Sequence, residues 1–129
     1  AILYKQRYIP VEGVGEPQIC FGNEADLEVF HLDDMENVEM KNFLPTDLAY
    51  DMNFHILSFA PGASHSFVET HIQEHGMYIL EGLLDEDWRL IKKGDFVWFG
   101  PYCPQAAYAA GRTRYTYIYS KDCNRDAAI

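Results

Sequence analysis

The chain has 129 residues, 48% hydrophobic and 23% charged, which suits one domain with a real core. Twenty acidic residues against ten basic give a formal charge of −10, which argues against a nucleic-acid backbone or an anionic membrane as the main partner. The apolar run Phe96–Phe99 is far too short to cross a bilayer, and no N-terminal signal pattern is read.

Residues 1–24 hold Pro10, Gly13, Gly15, Pro17 and Gly22 with no sustained period, which predicts an extended arm or interdomain linker. The first residue is Ala1 rather than Met, so a longer polypeptide is expected. From residue 25 the texture changes to short segments rich in β-branched and aromatic residues. Strands are predicted over 27–31, 38–43, 51–59, 66–73, 77–80, 87–91, 95–99, 106–110 and 113–120. Pro61-Gly62, Gly82, Gly94 and Gly111 punctuate them. No helix of three turns is expected, and 45–50 suits a single turn. Repeated short strands at this spacing predict an all-β sandwich or barrel over 25–129. In 51–59, Phe54 and Ile56 alternate with Leu57 and Phe59, so both faces are apolar. A strand buried on both sides implies a second layer, such as a neighbouring domain or subunit. Cys20, Cys103 and Cys123 are odd in number and lack a CxxC spacing, which fits a reducing, cytoplasmic compartment.

The chemistry concentrates in Glu69-Thr70-His71-Ile72-Gln73-Glu74-His75-Gly76. In an extended strand Glu69 and His71 share a face, and His75 has the same parity. Taken singly, each histidine reads as a polar residue on an edge strand. One carboxylate and two imidazoles opening a hairpin read instead as ligands for a divalent transition metal. His31, His55 and His65 are isolated and read as structural. The stripe Tyr115, Tyr117, Tyr119 reads as packing when taken alone, and Lys121 as a solvated residue after a strand. Cys103 reads as a small buried thiol, since no general base adjoins it in sequence. Trp88 and Trp98 are expected in the barrel wall, and Arg112, Arg114 and Arg125 in surface ion pairs.

The placing of Gly62, Gly82 and Gly94-Asp95 around this cluster resembles the two motifs of the cupin superfamily, small β-barrels with an internal metal site. Most cupins use His, His and Glu, then a last His. The order here is Glu69, His71, His75 and Gln105. With Pro101-Tyr102-Cys103-Pro104-Gln105 and Tyr119-Ser120-Lys121-Asp122-Cys123-Asn124-Arg125, that order resembles the (S)-ureidoglycine aminohydrolases of allantoin breakdown in purine catabolism.

The resemblance implies a cupin β-barrel of jelly-roll type with an N-terminal arm. It implies the second, catalytic cupin of a two-cupin enzyme, packed on an N-terminal cupin and assembled as a homo-oligomer. It implies Mn²⁺ held by Glu69, His71, His75 and Gln105. Catalysis then falls to Lys121, Tyr117 and Glu69, with the substrate touching Glu69, Gln105, Tyr117 and Lys121. The stretch from Gly82 to Gly94 is shorter than the family's, so either that hairpin is shortened or part of its loop is missing from this sequence. Two other classes fit a metal cupin: an isomerase or oxygenase on a small organic acid, and a non-enzymatic cupin that binds a small ligand. The aminohydrolase reading alone accounts for Glu69, Gln105 and the Lys-Asp-x-Asn-Arg tail together.

Overall fold

The computed structural model describes residues 7–65, 67–86 and 89–123. After a short 3-10 turn, Glu24–Asp26, nine strands follow in order: β1 Phe30–Leu32, β2 Met35–Asn42, β3 Met52–Phe59, β4 His75–Glu81, β5 Leu83–Glu86, β6 Arg89–Lys92, β7 Phe96–Phe99, β8 Ala107–Tyr108 and β9 Tyr115–Asp122. They form a six-stranded sheet in the order β1-β2-β3-β9-β4-β7 and a three-stranded sheet, β6-β5-β8. The all-β expectation holds. The strands remain two sheets and do not close into one continuous cylinder.

Alternation along the central strands decides what the sheets enclose. In β9, Tyr115, Tyr117 and Tyr119 are buried while the intervening residues are not. The core packs these rings with Val38, Leu57, Phe59 and Ile79 of the larger sheet and with Ile91, Ala107 and Ala109 from the side of the smaller one. Strand register lines up the inward side chains in rows. One row runs Asn53, Lys121, His75, Phe99; the next runs His55, Tyr119, Met77, Val97. Below them Leu57, Tyr117 and Ile79 fill the interior.

The outward face of the same strands is also apolar, as the pattern in 51–59 predicted. Ile56, Ile118, Tyr78 and Phe96 stand in one register row across four strands. At its β7 end, Tyr78, Phe96 and Trp98 are 50%, 79% and 63% exposed. Trp98 therefore lies outside the interior, contrary to expectation: it sits opposite Gly76, on the outward parity of β7. Trp88 and Arg125 lie outside the described residues. Arg114 does form an ion pair, with Glu39 at 3.1 Å. Arg112 is exposed.

Two local predictions need correction. The strand expected over 66–73 begins at a residue outside the described ones, and residues 67–73 do not form a regular strand. Glu69 bridges Gln105 there, while Phe67 and Val68 stay exposed, so the apolar pair that suggested burial faces solvent. Secondly, Leu83–Glu86 is a strand, although two leucines followed by two acids show no alternation. It follows Gly82 at once, where the chain leaves one sheet for the other. Gly82 has φ +87°, and an added Cβ would meet Arg114 O at 2.6 Å and Tyr115 Cα at 2.8 Å. Only glycine suits both the backbone conformation and that approach.

Candidate functional site

Segment 62–71 runs antiparallel along 102–109 although most of it is irregular. Gly62 N donates to Ala109 O, His65 N to Ala107 O, and Tyr102 N to His71 O. Within this ladder Glu69 and Gln105 exchange both backbone bonds at 2.9 Å, so their side chains rise from the same face. That face looks onto the row of the larger sheet carrying Asn53, Lys121 and His75. Between them lies a cavity of about 200 Å³ lined by Glu69, Gln105, His75, Lys121, Tyr117 and Tyr119, among others. Residues that sequence parity assigned to one strand thus meet by a different route. Glu69 arrives through its cross-strand bridge, and His75 as the first residue of β4.

The two imidazoles of the motif lie 5.1 Å apart, centroid to centroid. His71 Nδ1 sits 2.8 Å from Gln73 O, which fixes that nitrogen as the donor and leaves Nε2 as the acceptor. The Gln105 amide lies 3.0 Å from this Nε2. His75 is wedged between Phe99, stacked at 4.9 Å, and Tyr119, also at 4.9 Å. Both its ring nitrogens are buried without a hydrogen-bond partner. Burial lowers its pKa to about 4, helped by the neighbouring His71 and Lys121, so the ring is neutral at physiological pH. A neutral, oriented imidazole with an unused lone pair is a metal ligand in waiting. Among the described residues, no three His, Cys, Asp or Glu side chains by themselves form a group able to hold a metal. The pair that does meet is His71 with His75, and the Gln105 amide joins it.

Tyr117 and Lys121, which share parity on β9, both line the cavity. Of the histidines read as structural, His31 stays exposed, but His55 and His65 also line the cavity. Burial, with a contribution from Lys121, brings His55 to a pKa of about 4, and its ring stacks on Tyr119 at 4.7 Å. Burial also lowers His65, partly offset by Glu69. Asn53, absent from the sequence reading, stands directly opposite Lys121. The signal was available, since Asn53, His55 and Leu57 share one parity. A polar residue at the mouth of an inward-facing strand is easily discounted as a strand end. Cys103 is half-buried beside this wall, and Cys20 and Cys103 are free thiols.

Two facing sheets with a polar cluster between them define a cupin fold. An RmlC-like cupin from Shewanella frigidimarina superposes with a TM-score of 0.69 at 15% identity, over 89% of this chain and all of that one. No family model matches the chain. Sequence comparison is more particular: the chain is 54% identical to (S)-ureidoglycine aminohydrolase from Escherichia coli over 132 residues, 98% of this chain and 50% of that protein. It is 35% identical to a probable (S)-ureidoglycine aminohydrolase from Oryza sativa, over 99% of this chain and 42% of that protein. A glyoxylate-induced protein of Pseudomonas aeruginosa, itself a provisional assignment, superposes with a TM-score of 0.80 at 36% identity, covering 95% of this chain and 48% of its own. The resemblance seen in the motifs is therefore carried by the whole chain. The chain spans about half the length of the curated relatives it matches.

Proposed function

We propose that this chain is the catalytic half of an (S)-ureidoglycine aminohydrolase, converting (S)-ureidoglycine and water to (S)-ureidoglycolate and ammonia. The observation that carries the reading is the cavity in which the Glu69–Gln105 bridge faces His75 and Lys121, with both His75 nitrogens buried and unpartnered. The 54% identity to the Escherichia coli enzyme supports the choice of substrate.

Of the proposed donors, His71, His75 and the Gln105 amide meet, while Glu69 stands on the cavity wall without joining them in a three-ligand group. His71 has its tautomer set by Gln73, the buried His75 nitrogens have the Gln105 amide as their polar neighbour, and Glu69 offers a carboxylate on the cavity wall. Glu69, His71, His75 and Gln105 would hold the ion, and an oxygen-rich set with two imidazoles suits Mn²⁺. When bound, the ion supplies a local positive charge that anchors and orients an anionic substrate.

The remaining work belongs to the chain's own side chains. Lys121 pairs with the substrate carboxylate, and its place beside His75 in register holds the reacting carbon over the cluster. The protonated amine departs as ammonia while the ureido nitrogen pushes its lone pair toward the same carbon. Water then adds to that carbon, and the proton it loses passes to the cavity's bases. Tyr117, buried in the wall, donates a hydrogen bond that fixes the substrate, so water enters from one face. In this reading Glu69 carries protons, and Lys121 either does the same or holds the carboxylate.

The partners proposed are a second cupin domain, such as the relatives' other half would supply, and further copies of the protein. The apolar outer row Ile56, Ile118, Tyr78 and Phe96 supports a covered face. The odd number of cysteines without a CxxC spacing supports a cytoplasmic location. Chiral analysis of the product tests the reading. Spontaneous loss of ammonia gives racemic ureidoglycolate, whereas the Mn²⁺-loaded protein is expected to give the S enantiomer. Racemic product at the spontaneous rate contradicts it.

A further inference from the structure

Asn53 is a polar side chain that neither the motifs nor the reaction above uses. It lies on β3 with the inward parity of His55 and Leu57, lines the cavity, and pairs in register with Lys121. Its amide makes no hydrogen bond among the described residues, while its neighbours in the row are Lys121 and, one strand further, His75. A half-buried amide facing a cavity with both its donor and its acceptor unused is set to receive a ligand that offers both.

We infer that Asn53 reads the carbamoyl end of the substrate, so that the pair Asn53 and Lys121 selects small acids carrying a terminal –NH–CO–NH₂ group. The inference rests on the aminohydrolase reading and sharpens it. Directly opposed side chains on neighbouring strands stand ~4.5–5.5 Å apart at Cβ. That spacing lets a cation and an amide engage the two ends of one short molecule. Lys121 takes the carboxylate. The Asn53 carbonyl accepts from the terminal NH₂, and its own NH₂ donates to the carbamoyl oxygen. An acetyl group presents the same carbonyl but no N–H, so it leaves the Asn53 oxygen desolvated and unpaired, a difference that polar sites reject strongly.

The test is equilibrium binding of N-carbamoylglycine and N-acetylglycine to the Mn²⁺-loaded protein by calorimetry. Both ligands have the carboxylate and lack the leaving amine, so neither reacts. The wild-type protein is expected to prefer N-carbamoylglycine by about tenfold or more. Asn53→Leu, which keeps the volume, and Asn53→Ala should each bring that ratio to near one, in protein whose melting confirms a fold. Lys121→Met should weaken both ligands and leave the ratio standing. A wild-type ratio near one overturns the inference without any variant, as does a ratio that survives both Asn53 substitutions. Failure of the wild-type protein to bind N-carbamoylglycine at all would instead overturn the underlying aminohydrolase reading, and the inference with it.

Discussion

His75 carries an energetic cost that the fold alone does not explain. Its ring is buried against Phe99 and Tyr119, yet neither nitrogen has a partner. A buried polar group without a hydrogen bond is destabilising, so the metal-free protein should gain stability from an apolar ring in its place. His75→Phe is expected to raise the unfolding free energy by roughly 1–2 kcal/mol in chelator while abolishing Mn²⁺ binding. Denaturant melts with and without metal check both halves of that statement. The neighbouring His55 sets a pH dependence. Its folded pKa of about 4 lies below the ordinary value of 6.5, so between those limits the unfolded chain binds a proton that the folded chain refuses. Stability contributed by neutral His55 is full above pH 6.5 and is lost as pH falls toward 4, at a rate approaching about 1.4 kcal/mol per pH unit. Urea titrations of the metal-free protein at pH 7 and pH 5 should show that loss, and His55→Phe should reduce the slope without abolishing it, since His75 and His65 are shifted in the same direction. Spacing alone singled out Glu69, His71 and His75, and Gln105 entered only through the family resemblance. Sequence did not disclose Asn53 or His65, because a single polar residue gains meaning only when register shows what stands opposite it.

At the scale of elements, β9 was legible because its burial alternates and β3 because its apolar and aromatic residues favour a pleated surface covered on both sides. The segment 66–73 was not. Its apolar pair Phe67 and Val68 imitates a strand, but the ladder that holds it is made of backbone bonds to 102–109, which no local pattern encodes. Strand β5 was missed for the converse reason, since Leu83–Glu86 owes its pairing to the turn at Gly82 and the return strand β6 rather than to alternation. Gly82 is therefore the joint between the sheets. Gly82→Ala forces a side chain onto Arg114 O and Tyr115 Cα at positive φ, and is expected to cost at least about 2 kcal/mol of stability in a denaturant melt. A change of only a few tenths would mean that the joint relaxes freely.

For the whole molecule, the sequence foretold a sheet with two apolar faces, and the structure aligns them. The inner face builds the core and the cavity; the outer face exposes Tyr78, Phe96 and Trp98 toward the edge strand β7. Such a surface on a chain of charge −10 is uncharged where it is most exposed, as the centre of an interface should be. On the proposal that this face joins copies of the protein, Tyr78→Lys combined with Phe96→Lys should leave the fold intact by circular dichroism and lower the mass seen in sedimentation velocity. An unchanged assembly would place the interface elsewhere. What sequence could not give was the meeting of Glu69 with Gln105 across two distant segments, which arises only when the small sheet closes over the large one.

The central claim is that this meeting makes a metal-dependent aminohydrolase. The most direct measurement is ammonia release from freshly generated (S)-ureidoglycine with Mn²⁺, corrected for spontaneous decay, in the wild-type protein and in Glu69→Ala and Gln105→Ala. The account predicts release well above background that falls at least about 100-fold in both variants, as loss of a metal ligand or transition-state contact implies. Release at background in metal-loaded wild-type protein, or full activity in either variant, would contradict it.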